Sequence, residues 1–218
     1  MSDGHHDDGH GHGPNDHQPI GHHDEDTAAW ERRSAAVQTL LVEQGLFTAD
    51  DVRAQIEDWE SRTPALGARL VARAWVDPGF MERLLADARG AVRELLEIDA
   101  GVPELVVLEN TPAVHHVVVC TLCSCYPRAI LGAPPAWYKG LTYRARAIAD
   151  PRGVLGEFGL ELPPDVEVRV VDSTADMRYL VLPERPAGTD SLREDELAEL
   201  VTRDSMIGVA RARQPSLA

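Results

Sequence analysis

The chain has 218 residues, a net charge of −15 and 44% hydrophobic residues, a size that favours one main domain with appendages and a real core. So acidic a protein lacks the basic surface that nucleic acid or an anionic membrane requires. No apolar run approaches the ~18 residues that span a bilayer, and the polar N-terminus carries no signal-peptide core, so the expected location is cytoplasmic.

Residues 1–26 are dominated by Gly, Asp and His and hold seven of the nine histidines, between His5 and His23. The segment has nothing with which to build a core and is predicted to be disordered. Clustered imidazoles bind cobalt, nickel or zinc loosely; a solvated tail without function accounts for the composition equally well. Residues 27–44 read as a helix with Trp30, Val37, Leu40 and Leu41 on one stripe and Gly45 as its C-cap. Thr48 then caps a second helix, with Asp51 in a capping-box position, ending before Pro64. These two form a helical arm over 27–63, whose stripe needs either this chain's own core or another surface to lie on. Apolar spacing over 64–75 again suits a helix. Asp77-Pro78 opens another, running to about Ile98.

The period then changes. Residues 105–108 and 114–119 read as strands joined by a turn at Asn110-Thr111-Pro112. Pro127, Pro134 and Pro135 break regularity, 137–149 looks helical, and Asp150-Pro151 starts a short helix ending at Gly159. Residues 166–171 and 178–182 are strand-like, expected to pair through the turn at 172–176. Ser191 and Glu194 suggest a capping box for a last helix to about Arg203, and 209–218 reads as tail. The fold class is α/β: a helical arm followed by a layered domain over 64–210, with a short tail over 211–218.

All three cysteines lie within Cys120-Thr121-Leu122-Cys123-Ser124-Cys125, directly after a β-branched run, so they sit where a buried strand ends and a loop begins. A disulfide with one spare thiol, or three buried structural cysteines, are the alternatives. A disulfide framework belongs to small secreted chains with even cysteine counts, and structural cysteines have no reason to cluster, so a metal is favoured. A structural zinc site would want four ligands, and no second cysteine pair exists. His115 and His116 point to opposite faces of the strand, so at most one turns toward the loop. Between Cys123 and Cys125, the amide nitrogens of Ser124 and Cys125 lie within chelating distance. They bind only on losing a proton, which a trivalent transition ion can induce. Three sulfurs and two nitrogens leave a sixth position open for water or substrate, as a catalytic site requires.

This hexapeptide resembles the metal-binding claw of the nitrile hydratase α subunit, in the version with Thr at the second position that goes with cobalt. The resemblance extends to Ala68-Arg69-Leu70-Val71-Ala72-Arg73-Ala74-Trp75, Pro134-Pro135-Ala136-Trp137-Tyr138-Lys139, Asp172-Ser173-Thr174-Ala175, Arg185-Pro186-Ala187-Gly188-Thr189 and Val201-Thr202-Arg203-Asp204-Ser205-Met206-Ile207-Gly208. The γ subunit of thiocyanate hydrolase carries the same claw. The resemblance implies an α-β-β-α sandwich, a trivalent cobalt (iron less so), and hydration of a C≡N bond. It further implies a heteromer with one or two β-type subunits.

On that resemblance Cys120 is the axial thiolate, and Cys123 and Cys125 are in-plane ligands oxidised to sulfinic and sulfenic acid. Metal-bound, low-pKa thiolates with some access are the ones that oxygen attacks. Two arginines of the partner subunit pair with those oxygens. The Ser124 hydroxyl reaches solvent at the open position, and the sulfenate of Cys125 is one candidate nucleophile. Lys139, Asp172 and Asp176 stand where the family has a network orienting water; read without the resemblance they are surface charges. Trp137 is either a pocket wall or core packing. Two departures stand out. Asp176 replaces the family's usual Glu, and Arg128 follows Cys-Tyr-Pro where nitrile hydratases usually have Trp. A cation there suits an anionic substrate, as in the thiocyanate hydrolase γ subunit. The His/Asp-rich tail before the helix ending at Gly45-Leu46-Phe47 points the same way. Asp172-Ser173-Thr174-Ala175, Pro134-Pro135-Ala136-Trp137 and Asp204-Ser205-Met206-Ile207 read more like nitrile hydratase, which is preferred. A cobalt-storing or redox-sensing protein without turnover is the reading from another class.

Overall fold

The computed structural model describes residues 24–122 and 125–215, with side chains from Ala28 onward. The expectation for the His-rich segment therefore lies almost wholly outside the described residues, as do those for Cys123 and Ser124. No helix among the described residues is long and apolar enough to cross a membrane.

Two helices come first, α1 (Asp24–Glu43) and α2 (Ala49–Ser61). Gly45 adopts φ +70° after α1, where a side chain would be strained. The capping box before α2 is present: the Asp51 carboxylate accepts the Thr48 amide at 2.7 Å, and Thr48 Oγ1 accepts the Asp51 amide at 3.1 Å. The arm keeps its apolar stripe in the open. Trp30, Val37, Leu40, Ile56 and Trp59 are all exposed and α2 buries none of its residues. An apolar hollow of about 430 Å³ between α1 and α2 is lined by Trp30, Val37, Leu41, Phe47 and Val52, among others.

Next come α3 (Pro64–Val76), α4 (Pro78–Ala86) and α5 (Ala88–Leu96). The single helix expected over 77–98 is broken at Asp87, whose carboxylate accepts the Gly90 amide at 2.9 Å and starts a new helix. An Asp in mid-helix competes for backbone donors, and here it wins. Asp77 caps α4 as expected, accepting from the Phe80 amide at 3.0 Å.

Four strands follow: β1 (Glu104–Glu109), β2 (Val114–Val119), β3 (Glu167–Asp172) and β4 (Met177–Leu182). Between β2 and β3 lie α6 (Arg128–Leu131), α7 (Ala136–Lys139), α8 (Leu141–Ala149) and α9 (Pro151–Glu157); the expected helix over 137–149 is two helices, divided at Gly140. The expected pairing of the last two strands through their turn does not form. Instead β1 pairs with β4 and β2 with β3, both parallel, in two separate two-stranded sheets. A parallel pair needs a long crossover, which α6–α9 supply, so the short turns carry the chain from one sheet to the other. The sheets face each other through β2 and β4. The helices α4 and α5 cover one outer face and α8 and α9 the other, while α11 (Arg203–Ile207) lies against both β4 and β2. The order is α-β-β-α. It explains why β2 is buried along nearly its whole length: both faces of that strand are interior.

The capping box expected at Ser191 and Glu194 is displaced. The helix α10 (Glu194–Leu200) begins after Arg193, whose amide donates to Glu196 at 2.9 Å, and α11 is separate, capped by Thr202. The expected tail is partly core, for Val209 and Ala212 are buried and the Arg213 amide donates to the Leu200 carbonyl at 2.8 Å. The central side chains Leu70, Leu84, Ile130, Leu180, Leu182 and Met206 are all fully buried. Each contributes on the order of 1.5–3 kcal/mol by leaving water.

Candidate metal centre

The register of β2 on β3 sets up the site. Val119 lies opposite Asp172, so the loop that begins at Cys120 and the carboxylate that ends β3 emerge side by side at the C-terminal edge of one parallel pair. The ladder continues one step, with the Ser173 amide on the Val119 carbonyl at 2.7 Å. Asp172 then turns both oxygens on Thr121: Oδ1 accepts the amide at 2.9 Å and Oδ2 accepts the hydroxyl at 2.5 Å.

From the other side, α7 and α8 hold the loop by its carbonyls. Tyr143 donates to Val118 O at 2.8 Å, Arg144 Nε donates to Cys120 O at 2.9 Å, and Arg144 Nη2 donates to Thr121 O. Tyr138 donates to Cys125 O at 2.9 Å, closing the far end. Burial raises the pKa of Tyr138 and Tyr143, so these two phenols stay protonated and remain donors. Arg144 and Tyr143 had no signal in the sequence, because a lone Arg or Tyr on a short helix reads as surface or core; Tyr138 stands in a segment that carries the resemblance, with no role attached to it there.

Cys120 is fully buried and Cys125 nearly so. With the carbonyls of Cys120, Thr121 and Cys125 taken by Arg144 and Tyr138, a hard cation that wants oxygen would find those oxygens already engaged. Thiols are what the loop offers, which fits a soft or borderline transition ion. Neither histidine serves it. His115 Nε2 lies 2.7 Å from Gly208 O, an acceptor only, so that nitrogen carries the proton and Nδ1 accepts from Asn110 Nδ2 at 3.1 Å. His116 gives its amide and its Nδ1 to Asn110 Oδ1 at 2.8 and 3.2 Å.

Beside Cys125 opens a cavity of about 350 Å³, lined by Trp59, Arg62, Tyr126, Arg128 and Arg178 among others. Arg62 is paired with Asp58 at 2.6 Å, while the Arg128 guanidinium lies 5.5 Å from the Trp59 ring centroid. Three guanidiniums around one cavity make a cationic spot on a strongly acidic chain. Trp59 joins it from the arm, and nothing in the sequence signals that.

The remaining candidates lie elsewhere. Trp137 packs edge-on against Tyr138, Tyr143 and Phe158, with centroids 5.9, 4.8 and 4.7 Å away, and does not line the Cys125 cavity. Lys139 ends α7 and is exposed. Asp176 is exposed in the β3–β4 turn, its carbonyl accepting the Glu104 amide at 2.9 Å.

Residues 28–210 match the family described as nitrile hydratase, alpha chain. The chain is 54% identical over 187 residues to the low-molecular weight cobalt-containing nitrile hydratase subunit alpha of Rhodococcus rhodochrous, covering 85% of this chain and 90% of that one. It is 45% identical over 197 residues to the thiocyanate hydrolase subunit gamma of Thiobacillus thioparus, covering 85% and 81%. Among solved structures, a double mutant of the Fe-type nitrile hydratase from Comamonas testosteroni superposes with a TM-score of 0.79 at 44% identity, covering 88% of this chain and 94% of that one. A mutant thiocyanate hydrolase superposes with a TM-score of 0.77 at 43% identity, covering 86% and 91%.

Proposed function

Because the chain belongs to the nitrile hydratase alpha chain family, we propose that it is the metal-bearing subunit of an enzyme that hydrates a C≡N bond to an amide. The observation that carries this reading is the loop between Cys120 and Cys125, held on both sides by Asp172 and by α7–α8 and opening at Cys125 onto a substrate-sized cavity. Cys120, Cys123 and Cys125 would hold the ion through sulfur, with the amide nitrogens of Ser124 and Cys125. Cobalt is favoured by Thr121 and by the cobalt-containing relatives, although an Fe-type structure is also similar. When bound, a trivalent ion supplies Lewis acidity that polarises the nitrile or lowers the pKa of water.

The chain's own residues do the rest. Asp172 and Arg144 fix the loop, the cavity seats the substrate, and the Ser124 hydroxyl orients water. Cys123 and Cys125 carry sulfinic and sulfenic oxygens, which two arginines of a β-type subunit neutralise. Lys139 and Asp176, both on the surface of this chain, act through that subunit or through solvent. A second reading, the γ subunit of a thiocyanate hydrolase, is favoured by Arg128 at the cavity.

The test is metal analysis and intact mass of the loop peptide from protein made with its partner chains. About one cobalt per chain is expected, with added oxygen on Cys123 and Cys125, none on Cys120, and amide formed from nitrile. Stoichiometric zinc over three unmodified thiols in active enzyme would sink the assignment. Cobalt without nitrile- or thiocyanate-dependent turnover would indicate a storage or sensing protein.

A further inference from the structure

We propose that Arg144 and Asp172 act as a two-sided clamp on a single peptide unit, the one joining Cys120 to Thr121. In this proposal Arg144 is a positioning residue that keeps the metal-binding loop in its ligating shape. The proposal rests on the metal-site reading above.

Asp172 Oδ1 accepts the N–H of that unit at 2.9 Å, and Arg144 Nε donates to its C=O at 2.9 Å. The peptide dipole is thus aligned between a carboxylate at its positive end and a guanidinium at its negative end, which makes both hydrogen bonds charge-assisted. Each charge takes a second grip on Thr121, Asp172 through the hydroxyl at 2.5 Å and Arg144 through the next carbonyl. Packing does not do this job. Leu122 is 82% exposed and Thr121 is half-buried, so the chain leaves its core immediately after Cys120. Among the described ion pairs none involves Arg144, so its charge is directed at the two carbonyls.

The need for such a clamp follows from the chemistry. Three thiolates brought together before a cation arrives repel one another, and an exposed loop must lose conformational freedom to converge them. A guanidinium fixed against the backbone at the first cysteine offsets the charge, and a loop already in shape loses less entropy when it ligates. The two strand-end neighbours Cys120 and Asp172 come from β2 and β3, so the clamp is available as soon as those strands pair and α8 docks.

The experiment uses Arg144→Gln, Arg144→Lys, Asp172→Asn and the Arg144→Gln/Asp172→Asn double variant. Hydrogen exchange at the Thr121 amide is read in the metal-free full chain, and cobalt release to a chelator is read in the assembled holoenzyme. Each single variant should exchange at least ~10-fold faster at Thr121, corresponding to about 1.4 kcal/mol, while the Val106 and Leu108 amides of β1, on the edge that donates to β4, stay protected. The Lys variant, which keeps charge but not the fork, should resemble Gln. Because both groups hold one peptide, the double variant should exchange little faster than the worse single. Cobalt release should quicken ~10-fold or more. Unchanged exchange at Thr121, or equal loosening of β1, would overturn the clamp; faster exchange with unchanged cobalt release would overturn its role in holding metal. A parent that takes up no cobalt defeats the functional reading, and the exchange data still decide the clamp by themselves.

Discussion

The His115 ring donates from Nε2 to the carbonyl of Gly208 at 2.7 Å and so ties the start of the interior strand β2 to the turn that follows α11. Gly208 sits at φ +93°, and a Cβ there would lie 1.9 Å from the His116 carbonyl, so only glycine allows the approach. His116 is joined to the same knot through Asn110. The His115 imidazole is neutral by geometry, since Nε2 donates to a carbonyl while Nδ1 accepts from the Asn110 amide.

Acid should loosen this knot. Burial lowers the pKa of both histidines below the ordinary 6.5; Arg211 also lowers that of His115, while its bond to Gly208 and Glu184 act in opposition. Around His116, Arg169 and His115 lower it, while the Glu109 backbone and Glu167 oppose. A depressed folded-state pKa means that the unfolded chain takes up protons first. The stability is therefore fully present above about pH 6.5 and lost as pH falls below it, at up to roughly 1.4 kcal/mol per pH unit for each histidine. Denaturant unfolding of the full chain between pH 8 and 5 should show a plateau and then a decline. His115→Gln should flatten the decline, and a parent curve flat down to pH 5 would contradict the burial argument.

Much of the fold was legible where the signal is local. The Thr48–Asp51 box, the Asp77-Pro78 and Asp150-Pro151 starts and the β-branched run before Cys120 each act over three or four residues, and each stands where it was expected. The strand partners were not legible. Residues 166–171 and 178–182 are separated by a hairpin-length turn, yet each pairs with a strand some 50–70 positions earlier, a choice made by the packing of whole layers. In the site, the three cysteines announce themselves by clustering. The groups that hold their loop do not: Arg144 reads as a helix-surface cation until β2 is placed beside α8, and Trp59 reaches the cavity only because α2 ends there.

The exposed stripe on the arm predicts obligate assembly. Trp30 is 65% exposed, Val37 55% and Leu40 57%, an apolar face that a monomer would leave in water. With a β-type subunit seated on it, the buried interface should exceed ~2,000 Å² in total. Val37→Asp with Leu40→Asp removes two apolar anchors and puts charge in their place. That should raise the dissociation constant at least ~100-fold, about 2.8 kcal/mol, measured by sedimentation. The helix content of the isolated chain should be unaltered, as neither side chain is buried within it. A fully active monomer would contradict the assembly itself.

Arg128 divides nitrile from thiocyanate. Its guanidinium lines the Cys125 cavity, stacks on Trp59 at 5.5 Å, and has no carboxylate partner among the described ion pairs. A cation facing a cavity draws an anion there, whether that anion is a substrate or an oxidised cysteine oxygen. Arg128→Trp removes the charge and restores the residue usual in nitrile hydratases, while giving up a cation–π contact worth roughly 0.5–1 kcal/mol at an exposed site. With an anionic substrate, kcat/KM should fall ~10–100-fold, about 1.4–2.8 kcal/mol, and mostly through KM, because the lost term is attraction in the ground state as much as in the transition state. A neutral nitrile should be affected far less, or should gain from the added apolar wall. The reading preferred here expects the parent enzyme to hydrate neutral nitriles and to turn over little thiocyanate. Robust thiocyanate hydrolysis by the parent, abolished by Arg128→Trp, would transfer the chain to the other enzyme and make Arg128 its substrate-selecting residue.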